Sequence, residues 1–311
     1  MPGKHVKRDL LSVVDLGKDL LPVLRRAARL KADRRRGLIR PTLRQKNVAM
    51  IFEKPSTRTR TSFEVGLHDL GAHPLYMSPK DLQLGRGETI ADTARVLSRY
   101  VDAIVYRAFR HQDEADLARW ATIPVINALD DREHPCQIAA DLLTLWERWK
   151  GKLAGHRLAW VGDGNNVHHS LLLGCAMAGL DLASANPEEY RPDALVVSQA
   201  QALAAKSGAH LEFSTDPSAA VKGADAVYTD VWVSMGEEAE QSARERAFAG
   251  FQVNAELLAR ARPGALVMHD LPAHRGLEIT DDVIDGPQSV VWDQAENRLH
   301  AQKAILELLL G

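Results

Sequence analysis

The 311-residue chain is short of several things, and each shortage removes a class of function. It has two cysteines, Cys136 and Cys175, separated by a stretch that reads as helix, strand and turn, so neither a disulfide framework nor a metal knuckle is indicated. No run approaches the roughly 20 apolar residues of a membrane span, and Met1-Pro2-Gly3-Lys4-His5 lacks the apolar core of a signal peptide. A cytoplasmic protein without membrane contact is expected. A net charge of −2 leaves no global pull toward nucleic acid. The basic run from Arg25 to Arg40 contains no aromatic side chain for base stacking. Its apolar positions Leu21, Leu24, Ala28 and Ala32 fall at helical spacing, as on a solvated helix. His168 and His169 are adjacent, and His269 and His274 lack the i,i+4 spacing of paired ligands, so no metal is expected.

What is present is a regular alternation of apolar strands and amphipathic helices, over a length that suits two domains. Strands are expected near 47–53, 73–78, 102–108 and 124–128, with helices near 17–36, 57–71, 88–101, 113–121 and 135–150. The second half repeats the scheme, with strands near 157–162, 181–185, 210–214, 226–231, 265–270 and 289–293. Its helices fall near 166–179, 194–207, 254–262 and 296–310. The fold class is therefore α/β: two doubly wound parallel-sheet domains, dividing inside the helix that carries Leu142 to Trp146. Open sheets of this kind bind ligands beyond the carboxyl ends of their strands. Ser56, Arg107, His134, Asp230 and Asp270 all fall at such ends, so an active-site cleft between the domains is expected to collect them.

The most specific segment is Ser56-Thr57-Arg58-Thr59-Arg60, directly after the apolar run Val48 to Phe52. A strand delivers the chain into a turn where Ser56 can cap a helix, whose free N–H groups and positive dipole end then face outward. Hydroxyls of Ser56, Thr57 and Thr59 add donors, and Arg58 adds a fork suited to phosphate oxygens. An anion site is the reading. Further polar groups sit where strands end: Arg107, the turn His134-Pro135-Cys136-Gln137, and the loop Asp230-Val231-Trp232-Val233-Ser234-Met235-Gly236.

Taken with the loop Asp81-Leu82-Gln83-Leu84-Gly85, His269-Asp270-Leu271-Pro272 and Asp293 to Arg298, these segments resemble the aspartate/ornithine carbamoyltransferase family from about residue 7 to the C-terminus. Ser-Met-Gly is that family's mark for ornithine as acceptor. The resemblance implies transfer of the carbamoyl group of carbamoyl phosphate to the side-chain amine of L-ornithine, giving L-citrulline and phosphate, with no cofactor. It implies that residues 1–147 bind carbamoyl phosphate and are completed by a helix at 296–311, while 148–295 bind ornithine. Ser56, Thr57, Arg58 and Thr59 would hold the phosphate. Arg107, His134 and Gln137, with Pro135 and Cys136 in the same turn, would surround the carbamoyl group, joined by Arg298, and Gln83 would reach into a neighbouring subunit of a homotrimer or a multiple of trimers. Asn166 would meet the ornithine carboxylate and Asp230 its α-ammonium. Ser234 and Met235 would lie on a loop that closes. The alternating charges of 237–246 suit a mobile, solvated flap or an ordinary surface helix alike.

One departure stands out. The family's usual His-Cys-Leu-Pro is here His269-Asp270-Leu271-Pro272, and Asp270 with the Leu271 carbonyl would lie beside the attacking amine. A carboxylate there can hold the amine as ammonium, or accept its proton during attack. A related acceptor such as putrescine, lysine or a modified ornithine is the alternative. Two remoter readings are a non-catalytic binding protein and a nicotinamide-dependent dehydrogenase. The latter rests on Gly162-Asp163-Gly164 opening a helix with Asp181 downstream, but Val167 replaces the third small residue of the fingerprint.

Overall fold

The computed structural model describes residues 7–78, 82, 87–234 and 238–311. The chain divides into two compact units, Met1–Leu143 with Asn297–Gly311, and Thr144–Glu296.

In the first unit, β1 (Asn47–Phe52), β2 (His73–Met77), β3 (Ala103–Arg107) and β4 (Val125–Leu129) form a parallel sheet in the order β2-β1-β3-β4. Val48 to Phe52 are all buried, as are Ala103 to Arg107, which is why these segments read as continuous apolar runs rather than alternating ones. The helices are α1 (Leu20–Arg35), α2 (Thr57–Asp69), α3 (Ile90–Leu97), α4 (His111–Trp120) and the start of α5 (Pro135–Arg148), whose residues from Thr144 onward belong to the second unit. One core layer joins Ala49, Ile51, Ile104 and Tyr106 to Ala94, Leu97 and Leu117 from α3 and α4.

In the second unit, β5 (Arg157–Val161), β6 (Asp181–Ala185), β7 (Leu211–Ser214), β8 (Ala226–Thr229) and β9 (Leu266–His269) form a parallel sheet in the order β7-β6-β5-β8-β9. It carries α6 (Asn166–Ala178), α7 (Ala194–Ser207), α8 (Pro217–Val221), α9 (Gln241–Ala247), α10 (Ala255–Leu258) and α11 (Asp281–Ile284). The last helix, α12 (Val291–Leu310), begins in this unit and contributes its residues from Asn297 onward to the first.

Each sheet has one point where the strand order reverses direction, between β1 and β3 in the first and between β5 and β8 in the second. Connections leave such a point to opposite sides, so a crevice opens beyond the strand ends.

Four sequence expectations change. Residues 289–293 are not a strand: Val267 donates to Gln288 O and receives from Val290 N, Ser289 makes an isolated bridge, and α12 then starts at Val291. Val290-Val291-Trp292 has strand-like residue types, but a run so short cannot declare itself against a helix start. Arg298 consequently lies well inside α12 rather than opening it. On α1 the buried stripe is Leu20, Val23, Leu24, Ala27, Leu30 and Lys31, while Leu21 and Ala32 are exposed. Lys31 is tolerated inside because its Nζ donates to Asn297 Oδ1 at 2.7 Å. Finally, of the charged stretch 237–246, the part from Gln241 is the helix α9 rather than a solvated flap, and it buries Arg244, whose Nη1 donates to Asp163 Oδ2 at 2.7 Å and to Trp232 O at 3.1 Å. Among the described residues, no helix is long and apolar enough to cross a membrane.

Candidate active site

At the first unit's reversal point, Ser56 has extended backbone and caps α2, its Oγ accepting from Thr59 N at 3.2 Å. Ser56 and Arg58 are half-buried and Thr57 is exposed at the helix mouth, so the N-terminal turn of α2 is open to a ligand. Arg60 turns away to Glu64 and lies over the Tyr76 ring. Ser56→Ala is expected to cost about 1 kcal/mol through loss of the cap alone, read as a lower urea midpoint with unchanged slope.

Thr59 is buried and its Oγ1 accepts from Arg298 Nη2 at 2.8 Å. Arg298 Nη1 donates to Gln137 Oε1, and Gln137 Nε2 donates to Asp141 Oδ1 at 2.8 Å. Three helices, α2, α5 and α12, thus meet in one polar network. α12 packs closely over Gly66 of α2: a Cβ there would meet Lys303 Cγ at 3.2 Å and Leu299 Cδ1 at 3.4 Å, so a larger residue would need those side chains to shift slightly. A buried Lys303–Asp69 pair at 2.8 Å further along holds the two helices together.

Arg107 ends β3, where the register against β4 shifts between Tyr106 and Arg107. Such an irregularity re-aims a side chain at the end of a sheet. His134, buried at the start of α5, has its imidazole pKa held well below the ordinary value, chiefly by burial and then by the charges of Arg298 and Arg107. It is therefore a neutral ring flanked by two fixed cations, able to donate a hydrogen bond without carrying charge. Pro135 opens α5, where its missing N–H costs nothing. Cys136 points inward, Sγ donating to Asn127 O at 3.3 Å, and burial pushes its thiol up to about 12. It should resist iodoacetamide at pH 8 in the native protein, checked by intact mass.

The second unit builds its own cluster at its reversal point. Beyond β5, Gly162 takes φ 144°, and a Cβ on Gly164 would lie 2.3 Å from Pro192 N, so only glycine fits this turn. Asn165 caps α6 by accepting from Val167 N and His168 N, each at 3.1 Å, and its Nδ2 donates to Asp230 Oδ2 at 2.7 Å. That bond spans the reversal point from β5 to β8. Asn166, the first residue of α6, is half-buried with Oδ1 accepting from Val167 N. Ser234 is half-buried after Trp232, which is buried and stacked on Phe248. Asp270 follows β9 and is brought beside Asp230: one oxygen of each, with a His269 nitrogen, lie within 4.8 Å of one another. His269 is fully buried, accepting from Leu271 N at 2.9 Å through Nδ1, with Nε2 3.1 Å from Glu278 Oε1. One ring nitrogen thereby holds the Asp270 turn and the other fixes the ring against Glu278. Leu271 sits at φ 62°, a conformation costly for a branched residue and characteristic of functional turns. Two carboxylates side by side suit an ammonium.

The structure brings together Thr59, Arg107, His134, Gln137 and Arg298 in one unit, and Asp230 and Asp270 in the other. Gln83 and Met235, with Asp81, Leu84 and Gly85, lie outside the described residues. Asn165, Asp141 and Asp163 were missed by sequence reasoning. For Asn165 a signal existed, since an asparagine preceding a helix is a cap and brings its amide to the strand end. His168 and His169 serve structure, the first bonded to Ser184 Oγ at 2.8 Å and stacked on Trp160, the second accepting from Asp193 N. Asp181 begins β6 and accepts from His210 N, whereas a ribose-binding acid belongs at the opposite end of that strand. The dehydrogenase reading fails on that geometry.

Comparison with known proteins decides the family. Residues 8–147 match the family model described as aspartate/ornithine carbamoyltransferase, carbamoyl-P binding domain, and residues 154–309 match its Asp/Orn binding domain. The chain belongs to the aspartate/ornithine carbamoyltransferase family. Within that family it is 55% identical to an ornithine carbamoyltransferase of Methanoculleus marisnigri, over 98% of both chains. It is 55% identical to an anabolic ornithine carbamoyltransferase of Pyrococcus furiosus, over 98% of this chain and 96% of that protein. The solved structure of a Pyrococcus furiosus ornithine carbamoyltransferase superposes with a TM-score of 0.95 at 54% identity, covering 98% of each chain. That from Thermus thermophilus gives 0.88 at 45% identity, covering 99% and 100%.

Proposed function

We infer that this carbamoyltransferase moves the carbamoyl group of carbamoyl phosphate to the side-chain amine of L-ornithine, releasing L-citrulline and inorganic phosphate. The observation that supports this most is the donor cluster of Thr59, Arg107, neutral His134 and Arg298 beside the capped turn of α2. An acyl phosphate is already activated, so the chain need not supply a covalent nucleophile. In this reading the open turn at Ser56, with Thr57 and Arg58, takes the phosphate. Arg107, His134 and Thr59 aim donors at the carbonyl oxygen, where negative charge grows as nitrogen attacks. Gln137 orients Arg298 and serves the carbamoyl nitrogen. As the C–N bond forms, the carbon–oxygen bond to phosphate breaks, and the electron pair leaves on phosphate.

On the acceptor side, Asp230, steadied by Asn165, receives the α-ammonium, with Asn166 and Ser234 near the amino-acid head. Asp270 faces the side-chain nitrogen and takes its proton as attack proceeds. The Pyrococcus furiosus relative's designation as anabolic supports the direction of arginine synthesis. The same reading has a homotrimer or multiple of trimers in the cytoplasm, and light scattering should return a multiple of three times the 34.3 kDa chain.

The deciding measurement is citrulline and phosphate formation from carbamoyl phosphate with ornithine, lysine and putrescine in parallel. Turnover with ornithine is expected. No product from ornithine, with turnover of another amine, would overturn the assignment and move Asp270 to an altered acceptor.

A further inference from the structure

Between β4 and His134 lies a cluster that the transfer chemistry above does not use. Asp130, fully buried, follows β4. Its Oδ1 accepts from Arg132 N at 2.7 Å and Glu133 N at 2.6 Å, and its Oδ2 accepts from Asn127 Nδ2 at 2.9 Å and His111 Nδ1 at 2.6 Å. Asp130 N in turn donates to Glu133 O at 3.1 Å, closing the four-residue turn whose next residue is His134. Against this carboxylate, from α4, stands Glu114, also fully buried, with neither oxygen receiving a hydrogen bond. One oxygen each of Glu114 and Asp130 and a nitrogen of His111 lie within 4.8 Å of one another.

Two ionised carboxylates do not share a buried site without a neutralising partner. His111, bonded to Asp130, can neutralise that carboxylate when protonated, which leaves a metal cation or a proton to neutralise Glu114. Asp130 already accepts four hydrogen bonds, which fills the lone-pair positions of a carboxylate, so a metal would have to break bonds that exist. A proton breaks none. We propose that Asp130 is a positioning residue for His134, and that Glu114 is the carboxylic acid whose retained proton keeps the Asp130 turn closed.

The surroundings agree in direction. Burial, then the charge of Asp130, raises the Glu114 pKa well above its ordinary value, and the Asp130 bond raises that of His111. The other groups facing Glu114 are Glu133 from the turn and Asp9 from the N-terminal segment, both acidic, and the Tyr106 hydroxyl on β3, which binds Glu53. Arg132 lies near His111, and α3 directs Arg95 outward over the Trp120 ring. A proton held in the folded state and not in the unfolded one makes stability fall as pH rises from 4.5 through the Glu114 pKa.

This proposal rests on the catalytic placing of His134, so its test has one arm that needs substrate and one that does not. Asp130→Asn puts an amide N–H₂ against two other donors. It is expected to lower kcat about tenfold to a hundredfold, the cost of misplacing a catalytic group, with the KM for carbamoyl phosphate little changed. Glu114→Gln keeps a donor but cannot ionise. Its urea unfolding free energy is expected to decline less steeply with rising pH than that of the native chain, the remaining fall above pH 6.5 belonging to the Asp130-bonded His111, and its kcat to fall less on the alkaline side. An unchanged kcat in folded Asp130→Asn, or a Glu114→Gln chain that tracks the native pH dependence of stability, overturns the proposal. Titration of the full chain with zinc chloride is a third arm: uptake abolished by His111→Ala would make the cluster a metal site and overturn it equally.

Discussion

Replacing His134 with alanine is expected to lower kcat about a hundredfold to a thousandfold, the usual cost of removing one preorganised donor to a developing oxyanion, with a smaller change in KM for carbamoyl phosphate. The expectation follows from where the ring sits. Buried between the charges of Arg107 and Arg298, it stays neutral, so its contribution is a hydrogen bond that strengthens as the carbonyl oxygen gains charge. A proton on this ring would face two guanidinium groups. Because its folded-state pKa lies below the ordinary 6.5, the unfolded chain binds the extra proton first, and stability falls as pH drops below 6.5. His134→Ala should therefore be less active yet less acid-sensitive, which steady-state kinetics and urea unfolding at pH 5 and pH 7.5 will read together. A variant losing stability and activity in parallel at both pH values would show a packing role instead.

Asp270→Asn is expected to lower kcat with ornithine by about a hundredfold to ten-thousandfold if the carboxylate takes the proton from the attacking nitrogen. The pH dependence separates this from a binding role. Loss of a base removes the acidic limb of the kcat profile, whereas loss of a binding charge raises KM for ornithine and leaves the limb in place. Asp270→Cys restores the family's usual residue. If Asp270 holds the side-chain amine as ammonium and slows attack, this variant will be faster than the native chain at neutral pH. If Asp270 is the base, it will be slower. Equal rates for all three chains would remove Asp270 from the reaction altogether.

The residues of the site differ in how visible they are in the sequence. Ser56 capping α2 is a local matter: strand, cap and helix are adjacent, and short-range hydrogen bonding settles the geometry. The same holds for Asp230 and Asp270, which follow β8 and β9 directly. Arg298 is the opposite case. Its placement against Thr59 and Gln137 comes from α12 packing on α2 and α5, an arrangement between residues 239 and 161 positions apart that no local pattern encodes. The strand expected at 289–293 failed for a related reason. Val267 of β9 bonds to Gln288 and Val290 on either side of a single bridge at Ser289, and the chain then turns into α12 at Val291 instead of continuing as a strand.

Sequence alone determined the alternation of buried strands and capped helices, hence two parallel α/β units with polar motifs at the strand ends. Those properties follow from hydrophobic period and cap chemistry over a few residues. Tertiary structure alone decided which side chains meet, how the His134 ring is kept neutral, and that the Glu114 carboxyl is walled in against Asp130. Charge state is a property of surroundings: burial and neighbouring ions set it, and both come from segments far apart along the chain.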